Sequence, residues 1–288
     1  MCIRDRFRNE ASGEMHGLIR VRQFTISEGH LMCTPEQLED EFRKCLELAI
    51  FMLKTLGLYE DVSYRFSQWD PNDRAKYIGT EEQWNEAQGL MERILNHLEI
   101  PYEIGIGEAA FYGPKLDIQI KNVYGKEDTL ITIQIDQMLA EQFGMVYTDK
   151  DGKQKTPCII HRTSIGCYER TLALLIEKYA GAFPLWLAPV QVKLLPIADR
   201  HLDYLYEVKK QLEDKGFRCE VDDRSEKIGY KIREAQLEKV PYMVVVGDKD
   251  IENNTISIRK RKEGDLGAMT VEQFLEKIVP DRDNKVID

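Results

Sequence analysis

The chain has 288 residues, of which 43% are apolar, and its formal net charge is −10. It contains no apolar run long enough to span a bilayer, which excludes a membrane-spanning protein and predicts a soluble globular chain of about two domains. An acidic chain has no global basic field, so any nucleic-acid partner must be held by local basic patches. Its six cysteines are scattered without framework spacing, which favours free thiols in a reducing cytoplasm.

The first predicted element is a β-hairpin from Phe7 to His30, with a reversal in the glycine-containing loop 11–17. Arg8 and Glu10 share a face of its first arm, because side chains alternate with period two. The same face of the second arm carries Leu18, Arg20, Arg22, Phe24, Ile26, Glu28 and His30. Guanidiniums can bind phosphate, a ring can stack on a base and an imidazole can bind a metal. A solvated ribbon held by salt bridges is the alternative.

Helical and extended patterns follow the hairpin. Capping boxes at Thr34 and Thr80 predict two helix starts, each followed by an apolar stripe at helical spacing. Gly57 is the expected C-cap of the first helix. Period-two alternation then predicts strands at 116–121 and 129–136.

A strand that ends at His161 leads through Gly166 into a helix that is apolar on nearly all sides. Such a helix is expected to be buried. Its first turn nevertheless carries Glu169 and Arg170, and a buried element does not hold an arginine without a partner. Arg170 therefore indicates that something anionic or aromatic docks there.

Two prolines within 183–189 mark a domain boundary. Beyond it strands alternate with helices, which predicts a small α/β domain with a largely parallel sheet. The predicted divisions are 1–6, a leader of non-native origin, then 7–186 and 187–288. The basic run 259–262 fits a solvated strand end and an RNA contact equally well.

The strings FRNE and GLIRVRQF, with Gly166, Glu169 and Arg170 as GxxxER, resemble motifs two and three of the class II aminoacyl-tRNA synthetases. Longer strings resemble the threonyl-tRNA synthetase family from Arg8 to about residue 280: RNEASGEMHGLIRVRQFTISEGH, FYGPKLD, IQID, IIHR, GCYER and FPLWLAPVQV. This resemblance implies an α+β fold, in which a partial antiparallel-sheet catalytic domain precedes a three-layer α/β anticodon-binding domain. It also implies a cytoplasmic threonine-tRNA ligase, a homodimer when intact, that activates threonine with ATP and transfers it to tRNA(Thr).

The resemblance implies an ATP site in which Arg8 holds the α-phosphate, Glu10 accepts from the adenine amino group and Phe24 stacks on adenine. Arg170 would cover the other face of the ring and reach the γ-phosphate, with Arg20 assisting. Arg8 and Arg170 are thus the catalytic candidates. Fixed guanidiniums would stabilise the charge that builds when the threonine carboxylate attacks the α-phosphorus. No protein nucleophile is required, and Mg²⁺ would accompany ATP.

The threonine site implied by the resemblance contains Zn²⁺, held by one cysteine and two histidines, which binds the amino and hydroxyl groups of threonine. His30 and His161 match the two histidines. Glu28 would face the threonine amino group, while Tyr112 and Gln134 match further pocket positions. In the terminal domain, the resemblance places four residues near the anticodon: Ser225, Lys239, Asp250 and Arg259.

Some family features are missing from the chain. The zinc cysteine of the family precedes motif two, in sequence that this chain lacks. Cys2 lies in the leader, and Cys33 follows His30 too closely in a regular strand to substitute for the zinc cysteine. Motif one, which builds the dimer interface, and the N-terminal editing modules are also absent. The chain is therefore expected to be the C-terminal part of a longer enzyme.

Three other functions remain open at this stage. A prolyl or seryl relative is disfavoured by the pairing of His30 with His161. A non-catalytic tRNA-binding paralogue would be expected to lose the ATP-handling residues, which are present. An unrelated nucleotide-binding module is disfavoured because neither GxGxxG nor GxxxxGKS/T occurs.

We expect the isolated chain to be inactive and to bind zinc poorly, because two histidines supply too few ligands for a tetrahedral site. ATP–pyrophosphate exchange with threonine measures the activity. Robust turnover by the isolated chain would contradict this expectation.

Overall fold

The computed structural model describes residues 2–136 and 138–287. Met1 of the predicted leader and the side chain of Cys2 lie outside this description. The chain divides into two compact units, Met1–Glu177 and Lys178–Asp288. Within the described residues, none of the helices combines the length and apolar character that a membrane crossing requires.

The first unit is built around one large sheet. Its strands are β1 (Cys2–Phe7), β2 (Gln23–Cys33), β3 (Val62–Gln68), β4 (Tyr102–Ile106), β5 (Lys115–Lys121), β6 (Glu127–Asp136), β7 (Tyr147–Thr148), β8 (Gln154–Lys155) and β9 (Cys158–Cys167). Its helices are α1 (Leu38–Leu56), α2 (Glu81–His97), α3 (Leu139–Gln142) and α4 (Tyr168–Tyr179). The sheet order is β1-β2-β9-β6-β5-β3-β4, and β7 pairs with β8 separately. Only the β3–β4 pair among these described strands is parallel.

Local sequence signals explain the helix boundaries. At Thr34 the Gln37 side chain accepts from the Thr34 N–H at 3.0 Å, and α1 follows after one 3-10 turn. At Thr80 the side chain accepts from the Gln83 backbone N–H while the Gln83 side chain accepts from the Thr80 N–H. Gly57 ends α1 in the left-handed conformation, with φ +72°. These predicted boundaries are confirmed.

The predicted first arm of the hairpin is wrong. Strand β1 ends at Phe7, opposite Gln23 of β2, so Arg8 and Glu10 lie in the connection rather than in a strand. The Glu10 N–H bonds to the Arg8 carbonyl at 2.9 Å, which turns the chain away from the ladder. Arg20 and Arg22 also precede β2, because the 8–22 connection reverses through a 3-10 turn and a bridge between His16 and Arg20.

The expectation that α4 is buried is also wrong. Thr171, Leu174 and Leu175 are buried, whereas Leu172 is 47% and Ile176 42% exposed. The helix packs by one side only, and the described residues leave its other side exposed. Apolar residues on nearly all sides of α4 were therefore not enough to predict that the whole helix is buried. The prediction of unbridged thiols is confirmed for Cys33 and Cys45, which are buried.

The second unit is a five-stranded sheet with helices. Its strands are β10 (Val192–Pro196), β11 (Cys219–Val221), β12 (Tyr242–Val246), β13 (Ile256–Lys260) and β14 (Gly264–Met269), in the order β11-β10-β12-β13-β14. Its helices are α5 (Leu202–Asp214), α6 (Ile228–Leu237), α7 (Asp248–Asn253) and α8 (Val271–Asp283). Leu194, Val244 and Ile258, from three adjacent strands, are fully buried in its core.

The prediction of a largely parallel sheet is only half right. Strand β10 is parallel to β11 and β12, whereas β12, β13 and β14 are antiparallel. The reason is the link between β12 and β13, which holds only the six-residue helix α7. A parallel crossover needs about a dozen residues or more, so the chain turns back instead.

Replacing Arg224 by alanine should lower the free energy of unfolding only modestly near pH 7, because half of the Arg224 side chain is exposed and solvent screens its pair with Asp222. Arg224 donates to both oxygens of buried Asp222, at 2.8 and 2.7 Å, and this holds the pKa of Asp222 below its usual value. A depressed carboxyl pKa stabilises the fold above the unfolded pKa of about 4 and loses that effect as pH falls.

Urea unfolding of wild type and Arg224→Ala at several pH values measures this difference. It should shrink progressively as the pH falls below about 4, the unfolded pKa of an aspartate. Exposed Arg233 of α6 provides the matched control, and Arg233→Ala should change stability by less than about 0.5 kcal/mol. A difference for Arg224→Ala that does not vary with pH would contradict the assignment.

Candidate functional site

A row of polar side chains crosses one face of the first-unit sheet. His30 on β2 lies directly opposite His161 on β9, which lies opposite Gln134 on β6. Gln134 lies in turn opposite Lys115 on β5. Side chains opposite each other in neighbouring strands project from the same face. The row therefore joins residues that are distant in sequence.

A cavity of about 490 Å³ lies over this face. Most of the predicted catalytic-unit residues line it: Arg8, Glu10, Arg20, Phe24, Glu28, Tyr112, Gln134, His161 and Arg170. His30 contacts His161 but is not part of the described lining. The structure thus brings residues of the two predicted sites, for ATP and for threonine, into one space.

Arginines dominate the end of the cavity formed by the 8–22 connection. The Arg8 guanidinium lies over the buried Phe24 ring, 5.3 Å from its centroid. Arg20 donates to Glu10 Oε2 at 3.2 and 3.0 Å, and also to Glu14 at 3.0 Å. The hydrogen bond from Arg20 lowers the pKa of the Glu10 carboxyl below its usual value. The pairing keeps Glu10 ionised and fixes the Arg20 side chain.

Arg170 reaches the cavity because Gly166 lets α4 start close to β6. Gly166 has φ +73°, and a Cβ there would lie 1.9 Å from the Leu130 carbonyl oxygen. Arg170 Nε donates to the Ile19 carbonyl at 3.1 Å, and its Nη1 donates to the Thr129 carbonyl. These carbonyls orient the guanidinium without neutralising its charge. Arg170 therefore has backbone partners, and the docking of an anionic or aromatic group at its guanidinium stays a prediction.

The other end of the cavity is aromatic and polar. The Tyr112 hydroxyl donates to Gln134 Oε1 at 2.5 Å, and the Tyr112 ring lies 5.2 Å from the His161 ring. His161 Nε2 is 2.9 Å from the fully buried Asp136 carboxylate. Burial, with a smaller contribution from Asp136, raises the pKa of Tyr112, so this phenol is a neutral hydrogen-bonding group. Glu28 forms an ion pair with Arg6 of β1.

The two histidines do not form a complete metal site by themselves. Their ring centroids are 4.8 Å apart in an edge-on arrangement. Burial, followed by repulsion from His161, lowers the pKa of His30, so its imidazole is neutral, as a metal ligand must be. Across the described residues, no three His, Cys, Asp or Glu side chains converge in a geometry that could hold a metal ion. The described residues thus do not fit a tetrahedral zinc site.

The family of the chain follows from two matches. Residues 2–179 match the family model described as the tRNA synthetase class II core domain (G, H, P, S and T). The chain belongs to the class II tRNA synthetase family. Residues 191–280 match the model described as the anticodon binding domain. The expected fold class is confirmed.

Curated relatives and solved structures confirm the resemblance to threonyl-tRNA synthetases. The threonine–tRNA ligase of Clostridium perfringens is 62% identical over 273 residues, and that of Geobacillus kaustophilus 45% identical over 275 residues. In both comparisons the match covers 95% of this chain but 42% of the relative, so the chain spans less than half of their length. The RNA binding domain of threonyl-tRNA synthetase from Cryptosporidium parvum is similar with a TM-score of 0.88 and 33% identity, covering 96% of this chain and 68% of that chain.

Sequence reasoning missed Lys115, which also lines the cavity of this class II core. Its signal was available, because Lys115 alternates with buried Leu116 and Ile118 and so lies on the polar face of β5. Lys115 was not recognised as a cavity residue, because the side chains beside it across the sheet come from distant parts of the sequence.

The residues predicted near the anticodon are distributed over the second unit. Ser225 is exposed in the loop after β11, and Lys239 donates to the Ala180 carbonyl. Asp250 accepts from the Gly247 N–H and the Ser257 hydroxyl, both at 2.9 Å. Arg259 lines a separate basic cavity of about 310 Å³, with Lys260, Arg261 and Lys262. These positions are compatible with RNA contacts, and their anticodon roles stay predictions.

Gly166→Ala should lower the free energy of unfolding by about 2–4 kcal/mol, because the added Cβ meets the Leu130 carbonyl and a positive φ is strained for alanine. Urea unfolding measures the change. Gly13 has open space around its Cβ position, so Gly13→Ala is the control and should be nearly neutral. Equal stability of the Gly166→Ala variant and the wild type would refute the close approach.

Proposed function

We propose that the chain carries the ATP-, threonine- and tRNA-binding parts of a threonine–tRNA ligase. Such an enzyme activates threonine with ATP to threonyl-adenylate and transfers threonine to tRNA(Thr). The observation that supports this function best is the single cavity, in which Arg8, Phe24 and Arg170 lie at one end and Tyr112 and Gln134 at the other. A reaction between a nucleotide phosphate and an amino acid needs both sites side by side.

The arginines would act electrostatically. ATP would lie with its adenine against Phe24, near Glu10, while Arg8 contacts the α-phosphate and Arg170, assisted by Arg20, the terminal phosphates. Attack by the threonine carboxylate adds negative charge at the α-phosphorus, and fixed guanidiniums stabilise that charge more in the transition state than in the ground state. Mg²⁺ bound with ATP would neutralise part of the triphosphate charge.

Threonine would be held by Glu28, which accepts from its ammonium group, and by Tyr112 and Gln134. Arg6 now pairs with Glu28, so the substrate ammonium would have to replace this guanidinium. His30 and His161 are proposed as two of the zinc ligands expected for the family. Because the described residues supply no third ligand, no catalytic step is assigned to the metal.

The second unit is proposed to bind the tRNA anticodon through Ser225, Lys239, Asp250 and Arg259. The proposed domain boundaries are those predicted from the sequence, 7–186 and 187–288. A cytoplasmic location and a homodimer are part of the same proposal.

Titration of the isolated chain with ATP, followed by isothermal calorimetry, tests the proposed ATP site. Arg170→Ala should weaken ATP binding at least tenfold, because it removes a cation that reaches the phosphates; tenfold corresponds to about 1.4 kcal/mol. Arg8→Ala should weaken ATP binding similarly. This second variant keeps the test valid if Arg170→Ala does not fold. Arg43 on α1, which pairs with Asp40 and Glu47 away from the cavity, is the control.

ATP binding that is absent from the wild type, or equally strong in all four proteins, would overturn the proposed nucleotide site.

Threonine discrimination is tested by the same calorimetric titration with threonine and with valine, which lacks the hydroxyl group. A site that hydrogen-bonds this hydroxyl should reject valine.

A further inference from the structure

An aromatic cluster, formed by Trp69, Tyr77 and Trp84, lies outside the lining of the cavity. All three side chains are buried. The Trp69 and Trp84 rings stack with their centroids 5.5 Å apart, and the Tyr77 ring meets both of them edge-on. None of the three belongs to the described lining of the cavity. Any influence of this cluster on the cavity must therefore pass through other residues.

Local sequence places Trp84 in the aromatic cluster. The Thr80 side chain accepts from the Gln83 N–H and so starts α2, and Trp84 lies in the first turn of this helix. Trp84 is fully buried, and a buried indole N–H needs an acceptor. Trp84 Nε1 donates to the Ile78 carbonyl at 2.8 Å. This bond ties the start of α2 to the segment before it.

The connection continues from Ile78 to the 105–114 loop. The Ile78 N–H donates to the Phe111 carbonyl at 2.9 Å. Phe111 immediately precedes Tyr112, which lines the cavity. Two consecutive hydrogen bonds thus run from the Trp84 indole, through the Ile78 peptide groups, to the residue before Tyr112.

Both ends of the 105–114 loop are also fixed. The Gln68 carbonyl, at the end of β3, accepts from the Ala109 N–H at 3.1 Å, and Ala109 is buried in contact with the aromatic cluster. At the other end Gly113 lies close to β6, because a Cβ there would lie 2.2 Å from the Ile135 carbonyl oxygen. The bond from Ile78 therefore holds the part of the loop between these two ends.

The arginine end of the cavity is supported by different residues. Arg8 lies over the Phe24 ring, and Arg170 donates to the Ile19 and Thr129 carbonyls. These partners belong to the 8–22 connection, β2 and β6, whereas the described members of the aromatic cluster and the residues packed against them come from other segments. A change confined to the cluster should therefore act on the end of the cavity that holds Tyr112.

We propose that Trp84 is a positioning residue for the amino-acid substrate, and that its indole N–H, acting through Ile78 and Phe111, sets the position of the Tyr112 hydroxyl. This inference rests on the proposed function, in which Tyr112 contacts threonine. Trp84 itself touches no substrate. It makes the affinity for the amino acid, but not the affinity for ATP, depend on a residue outside the cavity.

Trp84→Phe tests the proposal, because phenylalanine keeps a buried ring and loses the indole N–H. Trp69→Phe is the matched control, since Trp69 stacks on Trp84 but its indole is not part of the hydrogen-bonded path to Phe111. Calorimetric titration with threonine and with ATP measures both ends of the cavity. Trp84→Phe should bind threonine about three- to tenfold more weakly, the effect of one lost hydrogen bond, and ATP equally well. Trp69→Phe should change neither affinity.

Hydrogen exchange of the Ile78 amide in the wild type, measured by NMR, provides a second test that needs no variant. A ligand held by Tyr112 should stabilise the bonds that position Tyr112, because linkage between two sites is reciprocal. Saturating threonine should therefore slow exchange of the Ile78 amide by about threefold or more, and ATP should not. This measurement decides the question if Trp84→Phe does not fold.

Failure of the inference differs from failure of the proposed function. A wild type that binds both ligands, with Trp84→Phe weakening both equally or neither, overturns the role of Trp84 alone, since a merely structural role would not separate the two ligands. Exchange of the Ile78 amide that threonine does not slow also overturns it, as does a wild type that binds ATP but not threonine. A wild type that binds neither ligand overturns both proposals.

Discussion

The cavity depends on the register between three strands of one sheet. His161, Gln134 and Lys115 face the cavity because they lie opposite one another in β9, β6 and β5. Ile160 and Ile133 precede two of them and are fully buried on the opposite face. A slip of one residue in any strand would exchange these faces, placing isoleucine in the cavity and a polar group in the core. Core packing therefore fixes the position of the polar row.

Local pairing, rather than net charge, sets the electrostatics of the site. The chain carries a formal charge of −10, yet the cavity concentrates Arg8, Arg20, Arg170 and Lys115. Each is held differently: Arg8 by the Phe24 ring, Arg20 by carboxylates, Arg170 by backbone carbonyls and Lys115 by buried Asp117. Because these cations are already oriented, little reorganisation is needed when an anionic ligand binds.

Local rules predicted much of the fold. The helix starts at Thr34 and Thr80 depend on residues three positions apart, and at both the glutamine side chain accepts from the threonine N–H. The alternation of side chains along β6 correctly predicted that Gln134 lies on the face opposite Ile133 and Ile135. The first arm of the hairpin was predicted wrongly. The Arg8 N–H still donates to the Arg22 carbonyl, but the Glu10 N–H turns back to the Arg8 carbonyl, and no alternation pattern encodes that turn.

The sequence alone determined which residues are polar or apolar on each strand, where the helices begin, and which family the chain resembles, since these depend on neighbours along the chain. Tertiary structure alone decided that Lys115 and Asp117 meet Ser67 and Thr132, because this contact joins three strands. It also decided that one side of α4 stays exposed. In the second unit, the short link through α7 turned a predicted parallel strand antiparallel, because its length cannot cross the sheet.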